Sequence, residues 1–285
     1  MVNPEKTVNK GKREVKPRRV HAQHWLRSDK ALAEIITAAG CSTNDWILEI
    51  GPGTGVLTRC LLPLVEKLIA VEIDRGLVKC LQKEFTNKDN FLVVEGDFLE
   101  IDLDAFYQGV GIRKRVNKVV ANIPYNITGP IIEKLLGRIS SPNPYPYETI
   151  VLLVQKEVAE RLVAKPGTKT FGALTVRVQY LAECEYISTV PAKAFYPAPK
   201  VDSAVVRLKP RQLQVVADDP KWLESLVKLG FSAKRKMLRN NLKSQVDGEK
   251  LTQVLEQLEI NPQARAEDVS VEQWVQLSNL LTAKL

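Results

Sequence analysis

Short apolar runs at 46–50, 68–73, 91–94, 116–121 and 149–154 punctuate the first half of this chain, and helical stretches separate most of them. Each run has the length of a buried strand. Strands that alternate with helices pair in parallel, and the intervening helices cover the sheet. This alternation predicts an α/β fold with a mostly parallel sheet and helices on both faces. Ahead of it, Ser28-Asp29 can cap a helix that carries Leu32, Ile35, Ile36 and Ala39 on one face and stops at Gly40.

The pattern changes after about residue 183. Segments 185–190 and 201–208 read as two strands joined by a proline-rich loop, 191–199, and the second of them suits an antiparallel final strand. Pro210 to Pro220 reads as a linker. Only helices follow, on Leu223/Leu226/Val227/Phe231, Leu251/Val254/Leu255/Leu258 and Val271/Trp274/Val275/Leu281.

Composition excludes several classes. At 285 residues with 45% hydrophobic and 26% charged content, the chain can bury a substantial core. No stretch approaches the roughly 20 apolar residues of a membrane span, and the polar N-terminus predicts no secretory signal. Cys41, Cys60, Cys80 and Cys184 form no C-x-x-C pair, so reduced thiols are expected and neither a zinc site nor a disulfide scaffold is. His21 and His24 have no Cys or carboxylate cluster beside them, and no metal is expected.

The net charge is +8 and its excess is clustered. One cluster is Lys6, Lys10, Lys12, Arg13, Lys16, Arg18 and Arg19, within a tail at 1–20 that lacks apolar periodicity and is expected to be disordered. The other is Lys228, Lys234, Arg235, Lys236, Arg239 and Lys243, interleaved with Phe231, Met237 and Leu238 as on a docking helix. Clustered base points to a nucleic-acid partner; the plain alternative is a solvated face.

Glu49-Ile50-Gly51-Pro52-Gly53-Thr54-Gly55 follows the first buried strand and opens a helix. Glycines there let backbone approach a ligand closely. The spacing G-x-G-x-G is neither the G-x-G-x-x-G of dinucleotide binders nor a P-loop. Glu72, twenty-one residues after Gly51, ends the second strand, where a carboxylate can accept both hydroxyls of a ribose. Asp97 ends the third and can accept from an adenine amine. Singly, either is equally a helix N-cap. Together with the glycine loop they line the carboxyl edge of one sheet, where open α/β sheets bind ligands.

Asn122-Ile123-Pro124-Tyr125 ends the fourth strand. Pro124 pushes Ile123 into an extended conformation and cannot continue the ladder, which aims the Ile123 carbonyl at the cleft. Asn122 adds a side-chain carbonyl. Two acceptors can grip both hydrogens of one exocyclic amine, and Tyr125 offers a flat face to its ring. Thr128-Gly129-Pro130 then begins a helix.

With these motifs in place, the chain resembles class I S-adenosylmethionine-dependent methyltransferases acting on adenine N6. More narrowly, it resembles the KsgA/RsmA family, which dimethylates two adjacent adenines near the 3′ end of small-subunit (16S) ribosomal RNA. The likeness runs from Val20 onward and includes Ala22-Gln23-His24-Trp25-Leu26, the motifs above, Lys165-Pro166-Gly167-Thr168-Lys169, the segment 190–203 and the segment 231–242. Trp25 stands where the family usually has Phe, Val20-His21-Ala22 where it has Arg/Lys-Phe-Gly, and Ala233 where a polar residue is common.

The resemblance implies a Rossmann-like, seven-stranded, mostly parallel sheet and a small all-α C-terminal domain. The corresponding division is a basic tail at 1–20, a catalytic domain at 21–211 and a helical RNA-binding domain at 212–285. It implies S-adenosyl-L-methionine as cofactor, held by His24, Leu26, Gly51, Gly53, Gly55, Glu72, Asp97 and Asn122. Asn122, Ile123, Pro124, Tyr125 and Phe195 would form the catalytic set, with Phe195 helping to stack the target base; Lys234, Arg235, Lys236 and Arg239 would contact RNA. It further implies a cytoplasmic, monomeric, metal-independent enzyme of ribosome maturation that acts on the small subunit. Three alternatives stand beside it: an Erm-type large-subunit (23S) adenine methyltransferase, a DNA adenine methyltransferase, and an assembly or transcription factor that uses the fold only to bind RNA.

Overall fold

A computed structural model describes residues 24–109, 114–212 and 214–281. The basic tail at 1–20, the substituted Val20-His21-Ala22 and Gln23 lie outside the described residues.

In chain order the elements are β1 (Trp25–Leu26), α1 (Asp29–Ala39), β2 (Trp46–Ile50), α2 (Val56–Leu61), β3 (Lys67–Glu72), α3 (Arg75–Glu84), β4 (Phe91–Glu95), α4 (Leu103–Gly109), β5 (Lys118–Asn122), α5 (Thr128–Leu136), β6 (Gly137–Arg138), β7 (Ser141–Pro142), β8 (Thr149–Gln155), α6 (Lys156–Leu162), α7 (Ala173–Leu181), β9 (Ala182–Val190), β10 (Phe195–Tyr196), β11 (Ser203–Pro210), α8 (Pro220–Gly230), α9 (Leu238–Leu242), α10 (Gly248–Gln257) and α11 (Val271–Leu280). Helix starts follow the expected chemistry. Ser28 accepts from the Ala31 amide, Asp74 from Gly76 and Leu77, and Asp219 from Lys221 and Trp222. Gly40 ends α1 in the left-handed region at φ +52°, and its N–H donates to Ile36 and Thr37.

Seven strands form one sheet in the order β4-β3-β2-β5-β8-β11-β9. The pairs β3–β4, β2–β3, β2–β5 and β5–β8 are parallel, whereas β11 runs antiparallel to both β8 and β9. The expected mostly parallel sheet with an antiparallel final strand is therefore observed. Successive residues of the central strands face opposite layers. Leu48, Val119, Ala121, Ile150, Leu152 and Val154 pack toward α5, α6 and α7, while Ile47, Val120, Val151 and Leu153 pack toward α1 and α2. Burial on both faces explains why these strands read as nearly continuous apolar runs, interrupted in β2 only by Glu49.

Helices α8 to α11 enclose a further core built on Leu223, Leu226, Leu238, Leu242, Leu255 and Trp274, to which Phe171 and α7's Val176 also belong. One expectation fails here. The basic cluster from Lys228 to Lys243 does not share the docking helix that its spacing suggests: α8 ends at Gly230 and, of 231–242, only 238–242 is helical. A Cβ at Gly230 would run into the Trp274 ring, so the chain turns at a point of close packing. The Asn241 amide then donates to the carbonyls of Gly230, at 2.5 Å, and Ala233, at 3.2 Å. A side chain from α9 thus takes the acceptors that a continuing helix would have used.

Candidate active site

The strand order reverses between β2 and β5, on either side of which the chain winds outward to β3–β4 and to β8. The carboxyl ends of strands diverge at such a switch and leave a crevice. A cavity of about 280 Å³ occupies it. Its lining comes from β1 (Trp25, Leu26) and the preceding His24, from the loop after β2 (Gly51, Gly53), from the last residue of β3 (Glu72), from Asp97 just past β4, and from Asn122 at the end of β5 with Ile123–Tyr125 after it.

The glycine loop is shaped by three left-handed residues, Gly51, Gly53 and Gly55, with φ of +66°, +59° and +75°. Their surroundings differ. Gly53 donates its N–H to Glu72 Oε2 at 3.0 Å and lies against the Trp25 indole. Gly55, expected to meet the cofactor, is not part of the cavity lining. A Cβ there would sit 2.9 Å from Leu81 Cδ2 and 3.2 Å from the Phe85 ring. Its smallness serves the packing of α2 on α3, which corrects the expected role.

Glu72 is buried, and backbone amides hold both of its oxygens, Asp74 N–H on Oε1 at 2.9 Å and Gly53 N–H on Oε2. Each oxygen keeps a lone pair for a further donor. Burial raises its pKa and those amide bonds oppose the rise. Asp97 accepts from Leu99 N–H through Oδ1 at 2.8 Å; Oδ2 has no partner among the described residues. Neither carboxylate caps a helix: Asp74 caps α3, Glu72 accepts from the Asp74 amide ahead of it, and Asp97 bonds within a turn that precedes α4, so each keeps acceptor sites for a ligand.

Glu49, the acidic residue that opens the glycine motif, has no place in the expected cofactor set but lines the same cavity. It stands in an otherwise apolar strand, Trp46-Ile47-Leu48-Glu49-Ile50, and only 1% of it is exposed. Burial pushes its carboxyl to about 8, against the opposing Thr58 hydroxyl, which donates to Oε2 at 2.7 Å; the Glu72 charge adds to the rise. At neutral pH the floor of the cavity therefore carries a largely protonated acid. A lone charge in a buried strand was the available signal.

Around the Asn122–Tyr125 segment, contacts link distant parts of the chain. Asn122 Nδ2 donates to the His24 carbonyl at 3.2 Å. The His24 ring bonds through Nδ1 to the Pro197 carbonyl at 2.7 Å and stacks beside Tyr125, with centroids 5.7 Å apart and planes 18° off parallel. Tyr125 opens a short 3₁₀ turn, and its hydroxyl meets Ser203 Oγ at 2.6 Å. Ser203 opens β11, and nothing local in the sequence marks it as a partner of Tyr125.

Phe195 was expected to stack the target base. It is 4% exposed, packs in the core beside Leu26 and Ile35, and does not line the cavity. Pairing of β10 with β1 turns its ring inward and leaves Tyr196, 49% exposed, on the outside with the Arg27 guanidinium over its ring at 4.2 Å. In this conformation Phe195 is a core residue.

Lys234, Arg235, Lys236 and Arg239 are all exposed, the first three on the turn that replaces the expected helix. Lys234 Nζ donates to the Lys169 carbonyl at 2.9 Å, which brings the exposed 165–169 loop against the same basic turn. Among the described residues no group of three His, Cys, Asp or Glu side chains is arranged to hold a metal ion.

Comparison with known proteins converges on one group. The family model described as ribosomal RNA adenine dimethylase matches residues 15–283. A relative from Trichormus variabilis named ribosomal RNA small subunit methyltransferase A is 70% identical over 267 residues, 94% of this chain and 98% of the relative. Its counterpart from a Nostoc species is 67% identical over the same shares. Among solved structures, a dimethyladenosine transferase from Plasmodium falciparum superposes with a TM-score of 0.74 at 29% identity, covering 89% of this chain and 96% of that one. The 23S rRNA methyltransferase ErmE superposes with a TM-score of 0.70, also at 29% identity, covering 90% and 99%.

Proposed function

Since the chain belongs to the ribosomal RNA adenine dimethylase family, we propose that it dimethylates the N6 amines of two adjacent adenines near the 3′ end of 16S ribosomal RNA, with S-adenosyl-L-methionine as methyl donor, during small-subunit maturation. The observation that carries this reading is the juxtaposition of the glycine loop, Glu72 and Asp97 with Asn122–Tyr125 around one cavity. The small-subunit relatives, at 67–70% identity, favour it over the 23S alternative, whose structural likeness is at 29%.

The donor set fits the cofactor. Glu72 offers a rigid pair of acceptors to a ribose, Asp97 Oδ2 an acceptor to an adenine amine, and Gly51 and Gly53 a wall without side chains. His24 and Leu26 close the cavity from β1. S-adenosyl-L-methionine supplies a methyl group already activated on a sulfonium, so the residues need no nucleophile.

Their task is the adenine amine, whose lone pair is delocalised into the ring. Acceptors at Asn122 Oδ1 and the Ile123 carbonyl favour a pyramidal nitrogen with its lone pair free, an interaction stronger in the transition state than in the ground state. Pro124 shapes the backbone that presents them. Tyr125 gives a base drawn out of its stack a surface to rest on. The proton leaves to solvent.

We assign 21–211 to the catalytic domain and 212–285 to an RNA-binding domain. Lys234, Arg235, Lys236 and Arg239 meet the phosphate backbone of the small subunit, with Lys165 and Lys169 beside them. No helix among the described residues is long and apolar enough to cross a membrane. The enzyme acts as a cytoplasmic monomer.

The test is transfer of labelled methyl groups to undermethylated small subunits, large subunits and naked RNA, followed by mapping. Label at paired adenines near the 3′ end of 16S RNA is expected. Label confined to large-subunit RNA would overturn the assignment.

A further inference from the structure

The hydrogen bond between Tyr125 and Ser203 is not needed for stacking. A phenyl ring offers the same flat face, so a hydroxyl tied down at 2.6 Å calls for a reason. Ser203 is fully buried, and it opens β11 in register with Gln155 of β8 on one side and Val190 of β9 on the other. Its Oγ therefore projects from backbone that two neighbouring strands hold fixed. Tyr125 sits on a short turn after β5, a more yielding support than a sheet. His24 restrains the ring from the side, and that imidazole is itself bonded to Pro197.

We propose that Ser203 is a positioning residue for methyl transfer: its hydroxyl anchors the tip of Tyr125 to the sheet and so sets the plane on which the target base rests before the Asn122 and Ile123 acceptors. This rests on the function proposed above. Alignment is where such an anchor acts, because a misplacement of about 1 Å at the reacting centre can cost roughly a hundredfold in rate. The bond joins the acceptor motif to a strand seventy-eight residues away in sequence.

The full-length protein is compared with Tyr125→Phe, Ser203→Ala and the double variant. Each single change is expected to lower kcat on undermethylated small subunits roughly fivefold, the loss of about one hydrogen bond. The double variant should be no slower than the slower single within about twofold, because both remove one interaction. The Kd for S-adenosylhomocysteine, measured by calorimetry, should stay within about twofold. Wild-type kcat in either single variant, or effects that multiply in the double, would overturn the proposal. A merely structural Ser203 would instead lower thermal stability and leave the kcat of the folded protein unchanged.

Fluorine spectra of protein labelled with 3-fluorotyrosine read the contact without turnover. Of the seven tyrosines, the resonance lost in Tyr125→Phe should be the one that shifts in Ser203→Ala; an unmoved resonance would rule the anchor out. A wild-type protein that fails to methylate small subunits would strike the proposed function, whereas wild-type activity with unaffected variants strikes only the anchor.

Discussion

The side-chain amide of Asn122 donates through Nδ2 to the backbone carbonyl of His24, 3.2 Å away and ninety-eight residues earlier in the chain. The contact fixes which half of the amide is free. With Nδ2 engaged by the segment that leads into β1, Oδ1 is the group left to accept from an amine. The same bond ties the end of β5 to the segment that leads into β1, so two walls of one cavity hold each other in place.

Asn122→Ala removes the acceptor and is expected to lower kcat at least about tenfold, or about 1.4 kcal/mol. The Kd for S-adenosylhomocysteine should rise by less than about threefold, since Glu72 and Asp97 remain. Steady-state kinetics and calorimetry check the two separately. A variant with wild-type turnover would remove Asn122 from the chemistry.

Glu49 predicts a pH dependence of stability. Its ordinary pKa is about 4.3, and burial raises it to about 8 in the folded chain. Between those values the folded state retains a proton that the unfolded state has released. The stability it contributes is therefore full below about pH 4 and is lost as pH rises through about 8. Melting of the cofactor-free protein should show Tm falling between pH 6 and 8.5 by roughly 5 °C more in the wild type than in Glu49→Gln. Equal slopes would mean that Glu49 titrates near its ordinary value.

Gly55→Ala should destabilise the fold by roughly 2 kcal/mol, from strain at φ +75° and a Cβ pressed on Leu81 and Phe85. Because Gly55 lies off the cavity lining, cofactor affinity of the folded variant should change by less than about threefold. Denaturant unfolding and calorimetry distinguish this from a direct cofactor contact, which would weaken binding far more.

Replacing Arg235, Lys236 and Arg239 together by Ala should raise KM for small subunits roughly tenfold and leave kcat intact, with the dependence of log affinity on log salt shallower by about two to three. An unchanged salt dependence would place the RNA elsewhere.

Local chemistry made much of the fold legible. Strand positions, the cap at Ser28, the stop at Gly40 and the placement of Gly51, Glu72, Asp97 and Asn122 at strand ends depend on periodicity and turn preferences that neighbouring residues set by themselves. The order of the strands, and every feature that depends on what lies across from a residue, needed the folded chain. Gly55 looks the same in sequence as Gly51, yet α3 packs against one and not the other. Phe195 belongs to a motif with an exposed role, yet β1–β10 pairing turns it into the core. The basic run at 231–237 keeps a helix-like composition, but the Asn241 side chain and the close contact of Gly230 with Trp274 stop the helix. Burial, pKa and hydrogen-bond partnership are properties of surroundings, and surroundings such as the Ser203 hydroxyl at the tip of Tyr125 are assembled from chain segments far apart in sequence.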